Sequence, residues 1–173
     1  QKDKLVGILG GDHSAPLGYM KAIGEKHGNY GILQIDAHCD LRDSYEGFNY
    51  SHASIMFNAL KEIPQLERVV QVGVRDYSQS EWEYISNSGY KVITFFDKDI
   101  KTRQFGGETW KSIAEDIVSK LPQNVFISFD IDGLDRKLCP HTGTPVPGGF
   151  EMEEIFFIFH KVNETKCVQT AIV

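Results

Sequence analysis

Six short apolar runs recur along the chain, at 4–9, 30–35, 68–74, 91–96, 124–129 and 166–173, and stretches of helical character lie between them. Strands that alternate with helices build a parallel sheet covered by helices on both faces. The runs are nearly unbroken in Val, Ile, Leu and Phe, as strands buried on both faces must be. The helical stretches are 16–27, 54–61, 80–88, 107–120 and 151–162. Ser80, with Glu83 three residues on, predicts a capping box at the third of them. Pro16, following Ser14, fits the first turn of the first helix, where a missing N–H costs nothing. The pattern predicts an α/β fold of three layers, a central parallel β-sheet flanked by helices.

At 173 residues the chain fits one domain, and a chain of that length buries roughly 70% of the surface its unfolded form exposes. Hydrophobic residues are 41% and charged residues 24%, which excludes disordered and fibrous classes. A net charge of −6 argues against nucleic acid, whose partners carry clustered Lys and Arg. It suits a small cationic substrate or a metal ion. Cys39, Cys139 and Cys167 form neither a disulfide framework nor a CxxC site, so a reducing compartment is expected. No run approaches 18 apolar residues and no signal peptide is visible; the expectation is a cytoplasmic protein with no membrane partner. The chain starts without Met and stops inside an apolar run at Ala171, Ile172 and Val173, which reads as an interior piece of a longer protein, truncated at both ends.

Chemistry concentrates in the two long connections, 36–53 and 130–150, rich in Asp, Gly, Pro and His. Long loops in compact domains are usually functional, and these follow apolar strands, where open α/β sheets bind ligands. In LQIDAHCD, continued strand geometry would aim Asp36, His38 and Asp40 to one side. Two anions and an imidazole crowded together repel and lose hydration unless a cation compensates; alone, the stretch also fits a solvated loop. FISFDIDGLD repeats the arrangement with Asp130 and Asp132. LGGDHS carries Asp12 and His13 after a glycine turn, where capping is the plainer role for the Asp. Two imidazoles and four carboxylates without a thiolate are enough for two ions. Such oxygen-rich coordination favours Mn²⁺, with Zn²⁺, Co²⁺ and Fe²⁺ open on ligand type alone.

GGDHS, DAHCD, SFDID and HTGTPVPGG, in this order, resemble the signature of the ureohydrolase family, which includes arginases and agmatinases. The resemblance spans essentially the whole chain. It implies an arginase-like α/β fold and a binuclear manganese enzyme, two Mn²⁺ per subunit, that hydrolyses a guanidinium to urea and an amine through a metal-bridging hydroxide. Position by position, it implies that His13 and Asp40 bind one manganese, His38 and Asp132 the other, with Asp36 and Asp130 bridging. Asp40 would also accept the hydroxide's hydrogen bond. His52 would pass a proton to the departing amine or contact the substrate; helix capping beside Ser54 is its alternative. Asp12 and Asp135 would orient ligands or cap turns, and residues 141–149 would wall the site. His27 and His160 read as ordinary surface or packing residues. A homo-oligomer, trimer or hexamer, is implied as well.

Three positions depart from the pattern. The family's guanidinium-holding Glu would fall just beyond Val173, Ala171 stands where Asp is common, and Arg136 stands where Pro is common. Asp76 is kept, but Ser78 replaces the Asp with which arginases hold an α-amino group. Agmatine, cleaved to putrescine and urea, or a close guanidino analogue is therefore the favoured substrate. An arginase, a formiminoglutamase-type enzyme or a non-catalytic metal-binding relative are the alternatives.

Overall fold

The computed structural model describes residues 6–172, and for 167–172 the backbone. Its strands are β1 (Gly7–Leu9), β2 (Tyr30–Ile35), β3 (Leu66–Val74), β4 (Val92–Phe96), β5 (Asn124–Phe129) and β6 (Cys167–Ile172). They form one parallel sheet in the order β1-β6-β5-β2-β3-β4. The ends of the expected first and last strands, residues 4, 5 and 173, lie outside the described residues.

Helices α1 (Leu17–His27), α2 (Ile55–Glu62), α3 (Gln79–Asn87), α4 (Asp97–Phe105), α5 (Trp110–Ser119) and α6 (Met152–Thr165) cover both faces. Alternation along each strand divides the core in two. Leu33, Ile35, Val70, Val72, Ile127 and Phe129 pack under α4, α5 and α6 through Ile100, Ile113, Ile117, Ile155 and Ile158. On the opposite face Ile32, Val69, Val74 and Phe126 meet Met20 and Ile23 of α1 and Ile55, Met56 and Ala59 of α2. Every residue of β2 is buried, as expected for the centre of a parallel sheet. The three-layer α/β architecture is as the pattern of runs predicted.

Three local expectations are corrected. The capping box of α3 is built by Ser78 and Glu81, not by Ser80 and Glu83: Ser78 N donates to Glu81 at 2.9 Å and Glu81 N to Ser78 Oγ at 3.3 Å. Glu81 is buried, with its other oxygen taking Leu41 N at 3.2 Å, whereas the Glu83 carboxylate lies on the surface and accepts from Gln79 at 2.9 Å. Pro16 occupies the N-cap position of α1, one residue before the first turn. Helix α4 was not foreseen: in DKDIKTRQF only Asp97 and Ile100 are buried, too few apolar positions for a helical period.

Candidate metal centre

The strand order reverses between β2 and β5: β3 and β4 continue outward from one, β6 and β1 from the other. Such a switch point opens a crevice beyond the carboxyl ends of the strands. The two acidic stretches follow these two strands, and LGGDHS follows β1.

Turns, rather than continued strands, bring the side chains together. Strand β2 ends at Ile35, and Asp40 sits in the left-handed region at φ 54°. Strand β5 ends at Phe129, and Asp130 caps a single 3-10 turn, Ile131–Gly133, accepting from Asp132 N at 2.9 Å. Asp36 likewise accepts from His38 N at 2.7 Å, and Asp132 from Ala37 N at 3.0 Å. Each of these three carboxylates is thus held by backbone through one oxygen, which leaves the other to face the crevice at Asp130 and Asp132 and, at Asp36, to meet the Gln34 amide and His13.

All six residues singled out in the sequence converge. His13 Nδ1 lies 2.8 Å from Asp40, 3.2 Å from Asp36 and 3.4 Å from Asp130. His38 Nδ1 lies 3.1 Å from Asp132 and 3.5 Å from Asp36. Two groups able to hold a cation result, His13–Asp36–Asp130 and Asp36–His38–Asp132, with Asp36 common to both. Asp130 belongs only to the trio with His13 and Asp36, and Asp40 stands against His13 outside either trio.

Several observations fit a cation here. His13 Nδ1 is buried, faces three carboxylates and yet makes no hydrogen bond; it is aimed between them. Its Nε2 meets the Ser128 hydroxyl of β5 at 2.8 Å, the kind of partner that orients a ligating imidazole. Burial and the neighbouring Asp36 charge raise Asp40 to about 7. Burial with Asp36 and Asp132 raises Asp130 to about 8. Burial pulls the His38 imidazole down, but contacts with Asp132 and Asp36 outweigh it and lift it to about 11. His13 is raised for the same reasons by Asp36 and Asp40, and Asp36, despite its burial, is held low by His13 and His38. Without a cation the cluster compensates its acids with protons, the role divalent ions would take over.

The centre opens into a cavity of about 550 Å³ whose walls include Asp12, Tyr45, Glu46, His52 and residues 141–144. His52 is half exposed, its Nδ1 3.7 Å from Asp12 and its ring edge-on to Tyr45 at 5.4 Å. No side-chain cap forms at Ser54. Asp12 caps its own turn, accepting from Ser14 N at 2.9 Å, and Asp135 does the same with Lys137 N at 2.9 Å. His27 is exposed and His160 pairs with Glu164 at 3.0 Å. Cys39 and Cys139 are free thiols. No helix among the described residues is long and apolar enough to cross a membrane.

The profile described as "Arginase family" matches residues 1–173. The chain belongs to the arginase family. It is 32% identical over 149 residues to a guanidinobutyrase of Pseudomonas aeruginosa, covering 82% of this chain and 43% of that protein. It is 33% identical over 162 residues to an agmatinase of Pyrococcus horikoshii, covering 93% and 50%. Among solved structures it is similar to the agmatine ureohydrolase of Thermoplasma volcanium, with a TM-score of 0.79 at 27% identity over 98% of this chain and 54% of that one. The chain thus spans about half the length of the curated relatives it matches.

The arginase-family motifs named the six converging residues but not what supports them. Ser128 behind His13 was quoted within SFDID without a role. Gln34, fully buried, donates to Asp36 at 2.8 Å. Arg75 donates to the carbonyls of Asp132 at 2.6 Å, Leu134 at 3.2 Å and Val146 at 3.2 Å, tying the Asp132 turn to the loop 140–149. A buried Gln or Ser inside an apolar strand was the available signal, since such a group must find a partner.

Proposed function

We propose that this chain is the metal-binding core of a binuclear manganese ureohydrolase that cleaves the guanidinium of agmatine, or of a close guanidino analogue, to urea and an amine. The observation that carries this reading is the single Asp36 carboxylate shared by two His/Asp groups at the switch point. His13 and Asp40 would hold one Mn²⁺ and His38 and Asp132 the other, and Asp36 and Asp130 would supply the remaining carboxylate ligands. When bound, the ions would offset the four carboxylates and supply the Lewis acidity that makes water a nucleophile near neutral pH.

The remaining work falls to the chain itself. Asp40, buried beside His13, offers a carboxylate oxygen to accept the hydrogen bond that orients the attacking water. His52 stands at the cavity wall with Nδ1 toward Asp12, leaving Nε2 to hand a proton to the departing nitrogen. An imidazole suits that step because its ordinary pKa lies near working pH. Guanidinium and water give urea and an ammonium as the C–N bond to the tail breaks.

The tail preference rests on charge. The cavity walls carry no Lys or Arg among the described residues, and beyond the four central carboxylates they carry Asp12 and Glu46. Two divalent ions match the four central acids, so the outer two favour a cationic tail, as in agmatine, over the carboxylate tail of guanidinobutyrate. Urea release by the whole protein from agmatine, arginine, guanidinobutyrate and formiminoglutamate, together with manganese analysis, tests this. Agmatine is expected to give the highest kcat/KM. Absence of both bound manganese and urea release would refute the activity, and preference for guanidinobutyrate would refute the charge argument.

A further inference from the structure

One row of the sheet is polar on the face otherwise packed against α1, α2 and α3. Gln34 of β2 pairs in register with Gln71 of β3 on one side and Ser128 of β5 on the other, and Gln71 pairs with Thr94 of β4. Each of these residues follows by two an apolar residue of that core, Ile32, Val69, Phe126 and Val92. Gln34, Gln71 and Ser128 are fully buried.

The hydrogen bonds along the row run in one direction. Thr94 Oγ1 donates to Gln71 Oε1 at 2.8 Å, Gln71 Nε2 to Gln34 Oε1 at 2.7 Å, and Gln34 Nε2 to Asp36 Oδ2 at 2.8 Å. Two groups that can only accept dictate this polarity. The ionised Asp36 carboxylate requires the NH₂ of Gln34, which leaves its oxygen toward Gln71. Independently, the Cys39 carbonyl takes Gln71 Nε2 at 2.6 Å, so the oxygen of Gln71 must face Thr94. The amide orientations follow from the acceptors at the ends.

We infer that Thr94, Gln71 and Gln34 form a relay of positioning residues that holds the Asp36 carboxylate in place for the metals, from a hydroxyl two strands away. Adjacent strands lie about 4.8 Å apart, so Thr94 acts across roughly 10 Å. Head-to-tail hydrogen bonds strengthen one another in a low-dielectric interior, and here every dipole points its positive end toward the shared carboxylate. Ser128 completes the row by holding His13 from the other side. The inference rests on the metal-centre reading above.

The test is the dissociation constant for Mn²⁺, titrated into the metal-free whole protein. Gln34→Leu is expected to weaken binding roughly 10- to 100-fold, as for other outer partners of metal ligands. Thr94→Val, which removes only the hydroxyl, is expected to weaken it roughly threefold, since cooperative strengthening is a fraction of each bond. Thr94→Ser should bind like the parent. In the Gln34→Leu background, Thr94→Val should have no further effect, because the relay is already cut. The relay is overturned if Thr94→Val binds Mn²⁺ like the parent, or if its effect is the same in both backgrounds, as a packing defect would give. Thr94 is only partly buried on the outermost strand, so the Thr94 pair of variants remains decisive even where Gln34→Leu fails to fold. A parent protein that binds no Mn²⁺ at all would overturn the metal-centre reading itself, a distinct result.

Discussion

Replacing Arg75 by Lys should cost stability and metal affinity together, although Arg75 touches none of the six converging side chains. Its Nη2 reaches Asp132 O at 2.6 Å, Leu134 O at 3.2 Å and Val146 O at 3.2 Å, its Nε Val146 O at 3.3 Å, and its Nη1 Gly73 O at 3.2 Å. The contact with Gly133 O at 3.5 Å is too long to count. A lysine ammonium has no planar fork and can keep one or two of these carbonyls, so at least two charge-assisted bonds disappear. At about 1.5–3 kcal/mol each, discounted for a half-buried site, the loss is about 3 kcal/mol. That is a large share of the roughly 5–15 kcal/mol that holds a domain folded. The same change frees the turn that carries Asp132, whose carboxylate meets His38 at 3.1 Å, and Mn²⁺ affinity should fall about tenfold as that ligand loses its support. Urea unfolding of the metal-free whole protein and Mn²⁺ titration measure the two quantities. A loss below about 1 kcal/mol, set against the bond energies used, with unchanged Mn²⁺ affinity would refute the view that Arg75 clamps the turn.

Further outcomes follow from the same geometry. Gly149→Ala places a Cβ 2.6 Å from Leu134 O and 2.8 Å from Gly133 O at φ +101°; since backbone cannot yield cheaply, about 3 kcal/mol or more should be lost, read as a fall in Tm. Ser128→Ala leaves the buried Nε2 of His13 without its partner and should weaken Mn²⁺ binding about tenfold; unchanged affinity would show the contact to be incidental. His52→Asn should lower kcat on agmatine about 10²-fold or more at unchanged manganese content, and a normal kcat would remove His52 from the proton path. Metal-free protein should lose stability as pH rises from about 5 to about 8, because Asp40 and Asp130, near 7 and 8 when folded, titrate near 4 when unfolded. The raised His13 and His38 act in the same sense, all four binding protons on folding, while the lowered Asp36 acts only at more acid pH. Saturating Mn²⁺ should reverse the trend; a metal-free Tm that climbs over this window contradicts the cluster's electrostatics.

What could be read in the sequence and what could not divides along a physical line. Strands buried on both faces must be apolar throughout, so β2 and β5 showed themselves, and acids at their ends could only mean water or a cation. Choices settled by tertiary contact did not show. SQSEWE contains two overlapping capping boxes, Ser78 with Glu81 and Ser80 with Glu83, equal in local terms; burial of Glu81 against Leu41 N decides between them. Helix α4 owes its place to Ile100 under the sheet and to Asp97 and Asp99 in its first turn, which favour a helix N-terminus without any period. The convergence on the metal centre was read from strand alternation, yet it is produced by a left-handed Asp40 and a 3-10 turn after Asp130, two ways of aiming carboxylates inward that leave the same i, i+2 spacing. Gln34, Gln71 and Thr94 are the sharper case. In sequence each is a lone polar residue interrupting an apolar run, which tells only that a partner exists. Which partner depends on register across three strands distant in the chain, and it is that register which turns three interruptions into one support for Asp36.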